Sequence, residues 1–142
     1  MTIDRGRLLG VDYGERRIGL AISDPTGTIA SPAGAIVRRA GKRAPVAEII
    51  RRAEALEARG FVIGLPLDGN GNETPRCAEV RTVAAAIAAR TGLPVDLVDE
   101  RYTTAAALRA IREMGGSTRG RKADVDALAA TVLLQHALQR AG

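Results

Sequence analysis

The sequence predicts an α/β fold with a five-stranded mixed sheet, in which three antiparallel strands precede alternating helices and strands. Short apolar runs joined by tight turns occupy the first part of the chain, a pattern typical of an antiparallel meander. The later strands are separated by segments of helical periodicity, which requires parallel pairing through crossover helices. No internal repeat divides the 142 residues, so residues 1–142 are expected to form a single domain with helices on the sheet faces.

The first three strands are predicted at residues 7–12, 17–23 and 28–37, which are short and rich in apolar side chains. Between the second and third strands, residues 24–27 read Asp-Pro-Thr-Gly, the composition of a β-turn. Pro32 cannot donate a ladder hydrogen bond, so the third strand is expected at an edge of the sheet.

Helices and strands alternate in the rest of the chain. Pro45 suits the first turn of a helix, Gly60 suits its end, and Thr74 with Pro75 suits the next helix start. In order, we predict a helix from Pro45 to about Arg59, a strand over Phe61–Ile63, a helix from Pro75 to about Arg90, a strand over Val95–Val98, a helix from Thr103 or Thr104 to near Met114, and a helix capped by Asp124 that runs to about Ala141.

The composition excludes several classes of protein. Only three residues are aromatic, so base stacking on aromatic platforms cannot be a major binding mode. A single cysteine, Cys77, allows no intramolecular disulfide and does not suit a thiolate zinc site. No apolar run reaches the ~18 residues of a membrane span and no signal-peptide core is visible, so we expect no membrane partner and a cytoplasmic location.

The charge is unevenly distributed. The net charge is +5, and basic segments at residues 1–60 and 101–142 surround an acidic segment at 61–100. This pattern favours a polyanionic partner, with nucleic acid first, although an arginine-rich composition alone also produces a basic protein. Two basic loops are either solvated or in contact with phosphate. They carry Arg38, Arg39, Lys42 and Arg43, and Arg119, Arg121 and Lys122.

Several carboxylates are predicted to meet at one edge of the sheet, where parallel strands end. Asp12 ends the first strand, Asp68 follows the fourth, and Asp99 and Glu100 end the fifth. Taken alone, Asp12 has an ordinary explanation as a turn residue.

The last helix adds Asp126, which lies on the same side as Ala129, Ala130 and Leu133. A carboxylate on an apolar face needs compensation, either from an arginine or from a metal ion, and we favour the metal. His136 lies near the far end of the helix and is interpreted as structural. Three carboxylates without Cys or His form an all-oxygen site that suits Mg²⁺ or Mn²⁺, and two such ions would support phosphodiester hydrolysis.

With these residues in view, the chain resembles the YqgF/RuvX family. Its members have a ribonuclease-H-like fold and are described as Holliday junction resolvases or as nucleases that process the precursor of small-subunit ribosomal RNA. The resemblance covers nearly the whole chain through four ordered motifs. These are Gly10–Gly14 with Arg16–Gly19 and Ser23-Asp24, then Val62–Leu67 with Gly69, then Asp99–Thr104, and finally Lys122 through Asp126 to Ala130.

The resemblance implies that Asp12, Glu100 and Asp126 are the catalytic, metal-binding carboxylates. The resemblance prefers Glu100 to Asp99 as the ligand, and alternation along a strand means that only one of the two faces the site. Whether Asp99 or Asp68 assists is left open. Phosphate contacts or orientation of the carboxylates are assigned to Arg16, Arg101 and Lys122.

The resulting hypothesis is a metal-dependent nuclease, a monomer or homodimer, that acts on ribosomal RNA precursor in preference to DNA. A Holliday junction resolvase and a non-catalytic RNA-binding assembly factor are the alternatives. The pattern Gly10-x-Asp12-x-Gly14 is also similar to the phosphate loop of sugar kinases and actin-like ATPases. Those proteins need two such domains around a cleft, so this interpretation is set aside.

Overall fold

The computed structural model describes residues 6–39, 41–99, 101 and 122–141. It contains a five-stranded sheet in the order β3-β2-β1-β4-β5. Strands β1, β2 and β3 pair antiparallel, and β1, β4 and β5 pair parallel, which confirms the predicted mixed sheet. The elements are β1 (Arg7–Tyr13), β2 (Arg17–Ser23), β3 (Ala30–Val37), α1 (Val46–Ala55), β4 (Ala58–Leu65), α2 (Pro75–Thr91), β5 (Val95–Asp99) and α3 (Lys122–Ala141).

The predicted boundary between α1 and β4 is wrong. The helix ends at Ala55, because Glu57 adopts a left-handed conformation with φ 58° and turns the chain into β4. Gly60 lies inside β4 and does not end the helix. A Cβ atom at Gly60 would lie 2.9 Å from Cδ2 of Leu8, so this glycine serves close packing within the sheet.

Other predicted boundaries need smaller changes. Helix α2 begins at Pro75 after Thr74, whose backbone N–H donates to the Sγ atom of Cys77 at 3.3 Å. Helix α3 begins at Lys122, so Asp124 lies in its first turn and is not the cap. Acidic residues suit both positions, which is why the sequence does not separate them. The helix predicted from Thr103 or Thr104 to Met114 lies outside the described residues.

The sheet has two different faces. One face packs against α1 and α2 and carries large buried side chains, including Leu9, Val11 and Phe61. The other face packs against α3 and carries smaller ones, including Ala21 and Val62. Side chains alternate along each strand, so neighbouring residues of β1 belong to different faces. In the described part of the chain, no helix is both long enough and apolar enough to span a lipid bilayer.

Helix α3 crosses β1, β2 and β3. Gln135 of α3 makes two hydrogen bonds that hold the helix on the sheet. The Gln135 side-chain carbonyl accepts a hydrogen bond from the Ala30 N–H at 2.9 Å, and its amide donates to the Thr28 carbonyl at 2.9 Å. The helix is therefore tied to the start of the edge strand β3 as well as packed on the sheet.

Candidate active site

Two carboxylates are buried between the sheet and α3. Asp12 lies near the end of β1, and Asp126 lies in the first part of α3. Both side chains have an exposed fraction of 0%, and among the described residues no other Asp, Glu, Lys or Arg is classed as buried. Burial of a carboxylate is costly unless a cation or hydrogen-bond donors compensate it. The two residues therefore mark a site that is not explained by core packing.

Gly19 explains how the backbone at Asp126 approaches the part of the sheet that carries Asp12. It lies opposite Asp12 in the antiparallel ladder of β1 and β2, so both residues face the same side of the sheet. A Cβ atom at Gly19 would lie 2.0 Å from the backbone oxygen of Asp126. Only a glycine therefore allows the backbone of α3 at Asp126 to approach β2 so closely.

Arg17 is a cationic neighbour of Asp126. Its Nε atom lies 3.9 Å from Oδ2 of Asp126. The sequence left the compensation of Asp126 open between an arginine and a metal ion, and no site role was assigned to Arg17. The available signal was the strand period, because Arg17, two residues before Gly19, lies on the same face of β2.

The third predicted ligand, Glu100, lies outside the described residues. Its neighbour Asp99 is engaged by Arg101, whose Nε donates to both carboxylate oxygens at 3.1 and 3.0 Å. These hydrogen bonds hold the pKa of Asp99 below its ordinary value. Val98, the residue before Asp99, packs in the apolar cluster around α3. Both charged groups of the Asp99–Arg101 pair are therefore committed to each other.

Asp68 organises its own loop. Its Oδ1 atom accepts hydrogen bonds from the backbone N–H groups of Asn70 and Asn72, both at 2.9 Å. This is the usual behaviour of an aspartate in a turn. The contacts give Asp68 a local structural role beside β4.

The predicted phosphate-contacting residues differ in exposure, and some of them lie outside the described structure. Arg16, Arg39, Lys42 and Arg43 are exposed. Arg38 is half-buried, and its guanidinium donates to the Gly14 carbonyl at 3.1 Å and to Glu79 at 3.0 Å. Arg119, Arg121 and the side chain of Lys122 lie outside the described part of the structure.

Arg38 also covers Tyr13, with its guanidinium carbon 4.7 Å from the ring centroid. The Tyr13 hydroxyl is buried near the Glu79 carboxylate, and within the described residues it makes no hydrogen bond of acceptable geometry. Burial raises the pKa of Tyr13 to about 12. Arg38 thus braces the β1–β2 turn next to Asp12.

The donor chemistry of the site fits a hard divalent cation. Asp12 and Asp126 supply only oxygen ligands, which suits Mg²⁺ or Mn²⁺ and not zinc. Within residues 6–39, 41–99, 101 and 122–141, no group of three or more His, Cys, Asp or Glu side chains is arranged to hold a metal. Asp12 and Asp126 are the two buried carboxylates whose chemistry suits such an ion in the described part of the chain.

Comparisons with known proteins find relatives that match most of this chain. A relative from Clavibacter michiganensis, named "Putative pre-16S rRNA nuclease", is 40% identical over 134 residues, covering 94% of this chain and 83% of the relative. A relative of the same name from Moorella thermoacetica is 41% identical over 138 residues, covering 96% of both chains.

The fold is similar to that of RuvC from Thermus thermophilus in complex with a Holliday junction substrate. The TM-score is 0.58 at 17% identity, over 96% of each chain. At this identity the similarity concerns the fold alone, and it confirms the expected ribonuclease-H-like architecture. The model of a family described as "RuvX: Holliday junction resolvase" matches residues 6–140. The motifs, the fold and the relatives thus lead to one assignment, and this chain belongs to the RuvX family.

Proposed function

We propose that this protein is a divalent-metal-dependent nuclease that processes the 5′ end of the small-subunit (16S) ribosomal RNA precursor in the cytoplasm. The observation that supports it best is the pair of fully buried carboxylates, Asp12 and Asp126, brought together across Gly19. The names of the relatives supply the RNA substrate, because the Clavibacter and Moorella proteins are both named for pre-16S rRNA.

The proposed metal ligands are Asp12, Asp126 and Glu100, which would hold one or two Mg²⁺ or Mn²⁺ ions. Such ions supply activation of water and stabilisation of the leaving oxygen in phosphodiester hydrolysis. The protein contributes rigidity, because Asp12 lies in a central strand and Asp126 is fixed by the contact of its backbone with Gly19. Ligands on regular elements keep their relative positions better than ligands on loops.

The substrate backbone is proposed to lie along exposed basic residues. Arg39, Lys42 and Arg43 line one groove beside β3 and the start of α1, and Arg16 is exposed at the β1–β2 turn. Contacts from arginine and lysine to phosphates position a nucleic acid without reading its sequence. Cleavage of one strand needs no second copy, so the function is compatible with a monomer as well as a homodimer.

Substitution of the two buried aspartates tests the proposal. Asp12→Asn and Asp126→Asn should each lower Mn²⁺-dependent cleavage of a labelled RNA hairpin from the 16S precursor leader by at least about a hundredfold, a loss typical of removing a group that stabilises the transition state. Asp96→Asn is the matched control, because Asp96 is an exposed aspartate of β5. Binding of the hairpin in EDTA should stay within about twofold in all three variants, since none of them removes a phosphate contact.

Three results would contradict the nuclease proposal. Metal-dependent cleavage that survives in both Asn variants would show that the acidic pair is not catalytic. RNA binding without any cleavage by the wild-type protein would favour the assembly-factor alternative. The family description favours a junction resolvase as a second candidate, and paired cuts in a four-way DNA junction by a dimer, with no cleavage of RNA, would favour it.

A further inference from the structure

Arg17 has the position and the chemistry of a substrate-binding residue. We propose that its guanidinium contacts a phosphate of the nucleic acid next to the acidic pair. This proposal deepens the nuclease function proposed above and rests on it. Neither the sequence motifs nor the relatives assign a role to this side chain.

The first argument is placement. Arg17 opens β2, and Gly19, two residues later, lies opposite Asp12 and against the backbone of Asp126. The Arg17 side chain therefore extends along the same face of the sheet. Its Nε atom lies 3.9 Å from Oδ2 of Asp126, next to the acidic pair.

The second argument is exposure. The Asp126 side chain is 0% exposed, whereas the Arg17 side chain is 25% exposed. A polyanion is repelled by a carboxylate, but it can contact a cation that lies between this carboxylate and the solvent. Arg17 thus offers a positive group at the boundary between the buried acids and the surface.

The third argument concerns the hydrogen-bond donors of the Arg17 guanidinium. The separation of 3.9 Å from Asp126 exceeds hydrogen-bond distance, and no hydrogen bond of the Arg17 side chain is found in the described part of the chain. Arg38 and Arg101, by contrast, already donate hydrogen bonds to Glu79 and Asp99. A planar guanidinium with unspent donors matches a phosphate with two parallel hydrogen bonds.

The experiment compares Arg17→Gln and Arg17→Lys with Arg90→Gln, a control that removes an exposed arginine at the end of α2. The affinity for a labelled RNA hairpin is measured in EDTA as a function of salt. Arg17→Gln should bind about tenfold to a hundredfold more weakly, the range expected for losing a charge-assisted hydrogen bond. It should also reduce the slope of log K against log salt by about 0.7–0.9, the value for one phosphate contact.

Arg17→Lys separates charge from geometry. It should retain the salt slope, because the charge remains, but recover less than half of the lost binding free energy, because an ammonium group lacks the planar fork. Mn²⁺ affinity, measured by calorimetry without RNA, should be unchanged or tighter in Arg17→Gln, since a cation beside Asp126 is removed. Cleavage at saturating Mn²⁺ should remain impaired.

Two outcomes overturn the proposal. If Arg17→Gln matches Arg90→Gln in RNA affinity and salt slope, Arg17 does not contact phosphate. If Mn²⁺ affinity falls and full cleavage returns at saturating Mn²⁺, Arg17 only positions Asp126. Should the wild-type protein cleave no RNA, the nuclease function fails by itself, and the binding measurement in EDTA still decides the role of Arg17.

Discussion

The two faces of the sheet are built from the same strands but serve different purposes. Toward α1 and α2, β1 presents Leu9 and Val11, large side chains with an exposed fraction of 0%. Toward α3, the intervening positions of β1 are Gly10 and Asp12. Among the described residues, the first face carries the larger cluster of buried apolar side chains, whereas the second brings the backbone of α3 close to β2 at Asp126.

The comparison teaches that close approach and large side chains exclude each other. A Cβ atom at Gly10 would lie 2.8 Å from Cβ of Leu134, and one at Gly19 would lie 2.0 Å from the backbone of α3. The small residues on this face allow α3 to pack closely against the strands. Variants that change side-chain volume on either face therefore test whether the two faces have different roles.

The largest effect on stability is expected on the α1–α2 face. Ile63→Ala removes a fully buried side chain of β4, which should lower the free energy of unfolding by about 2–5 kcal/mol. Mn²⁺ affinity of the folded protein should not change, because Ile63 packs away from α3. Urea unfolding and calorimetry measure the two quantities.

The matched variant on the other face is Leu134→Ala, which also truncates a fully buried side chain. It should cost a similar amount of stability and also weaken Mn²⁺ binding, because Leu134 helps to seat the helix that carries Asp126. Equal Mn²⁺ affinities for Ile63→Ala and Leu134→Ala would show that the two faces are not functionally distinct.

An added methyl group on the α3 face should have the next largest effect. Gly19→Ala should lower stability by about 1–3 kcal/mol, as overpacking does, and should abolish Mn²⁺ binding because the backbone at Asp126 must move. Gly10→Ala is the comparison, since its Cβ would lie 2.8 Å from Cβ of Leu134 and 3.3 Å from the backbone oxygen of Ala130, away from Asp126, and should weaken Mn²⁺ binding less. Retained Mn²⁺ binding in Gly19→Ala would disprove the role given to this contact.

The smallest effect concerns Tyr13, a polar group on the α1–α2 face. Its pKa is raised to about 12, above the ordinary value of about 10. Folding therefore favours the neutral phenol, and the stability this contributes is fully present below pH 10 and lost as the pH rises toward 12.

Comparison of Tyr13→Phe with the wild type between pH 8 and pH 12 measures this loss. The wild type should lose up to about 2 kcal/mol more than the variant across this range, because one pKa unit corresponds to about 1.4 kcal/mol. At pH 8 the two proteins should be nearly equally stable, since both side chains are neutral there. Parallel pH profiles would contradict the cause assigned to the raised pKa.

Most of the sheet could be predicted from local patterns. Strands β1 and β2 are short apolar runs, and the turn chemistry of residues 24–27 marks their separation from β3. The end of α1 could not be predicted, because Glu57 adopts a left-handed conformation that non-glycine residues rarely take. In the sequence, Gly60 has the position of a glycine that ends a helix. In the structure, it allows close packing against Leu8 in a neighbouring strand.

Residues of the candidate site could be predicted where their type does not fit the local pattern. Asp126 on an apolar helix face is such a residue, and its complete burial was correctly expected. The strand period could have placed Arg17 on the same face as Gly19, but its contact with Asp126 could not be predicted because that residue lies in a distant helix. The contact depends on tertiary packing, which strand and helix periods do not specify. The role of Glu100 stays a prediction.

Helix α3 also sets the order in which the molecule can become active. Gln135 accepts a hydrogen bond from Ala30 of β3, which lies 105 positions earlier in the chain. Asp126 contacts Gly19 only after this helix has packed on the sheet. A chain still attached to the ribosome can pair β1 with β2 and β3 as soon as they emerge, but long-range contacts form late. A chain in which α3 has not yet docked therefore lacks the contact between Asp126 and Gly19.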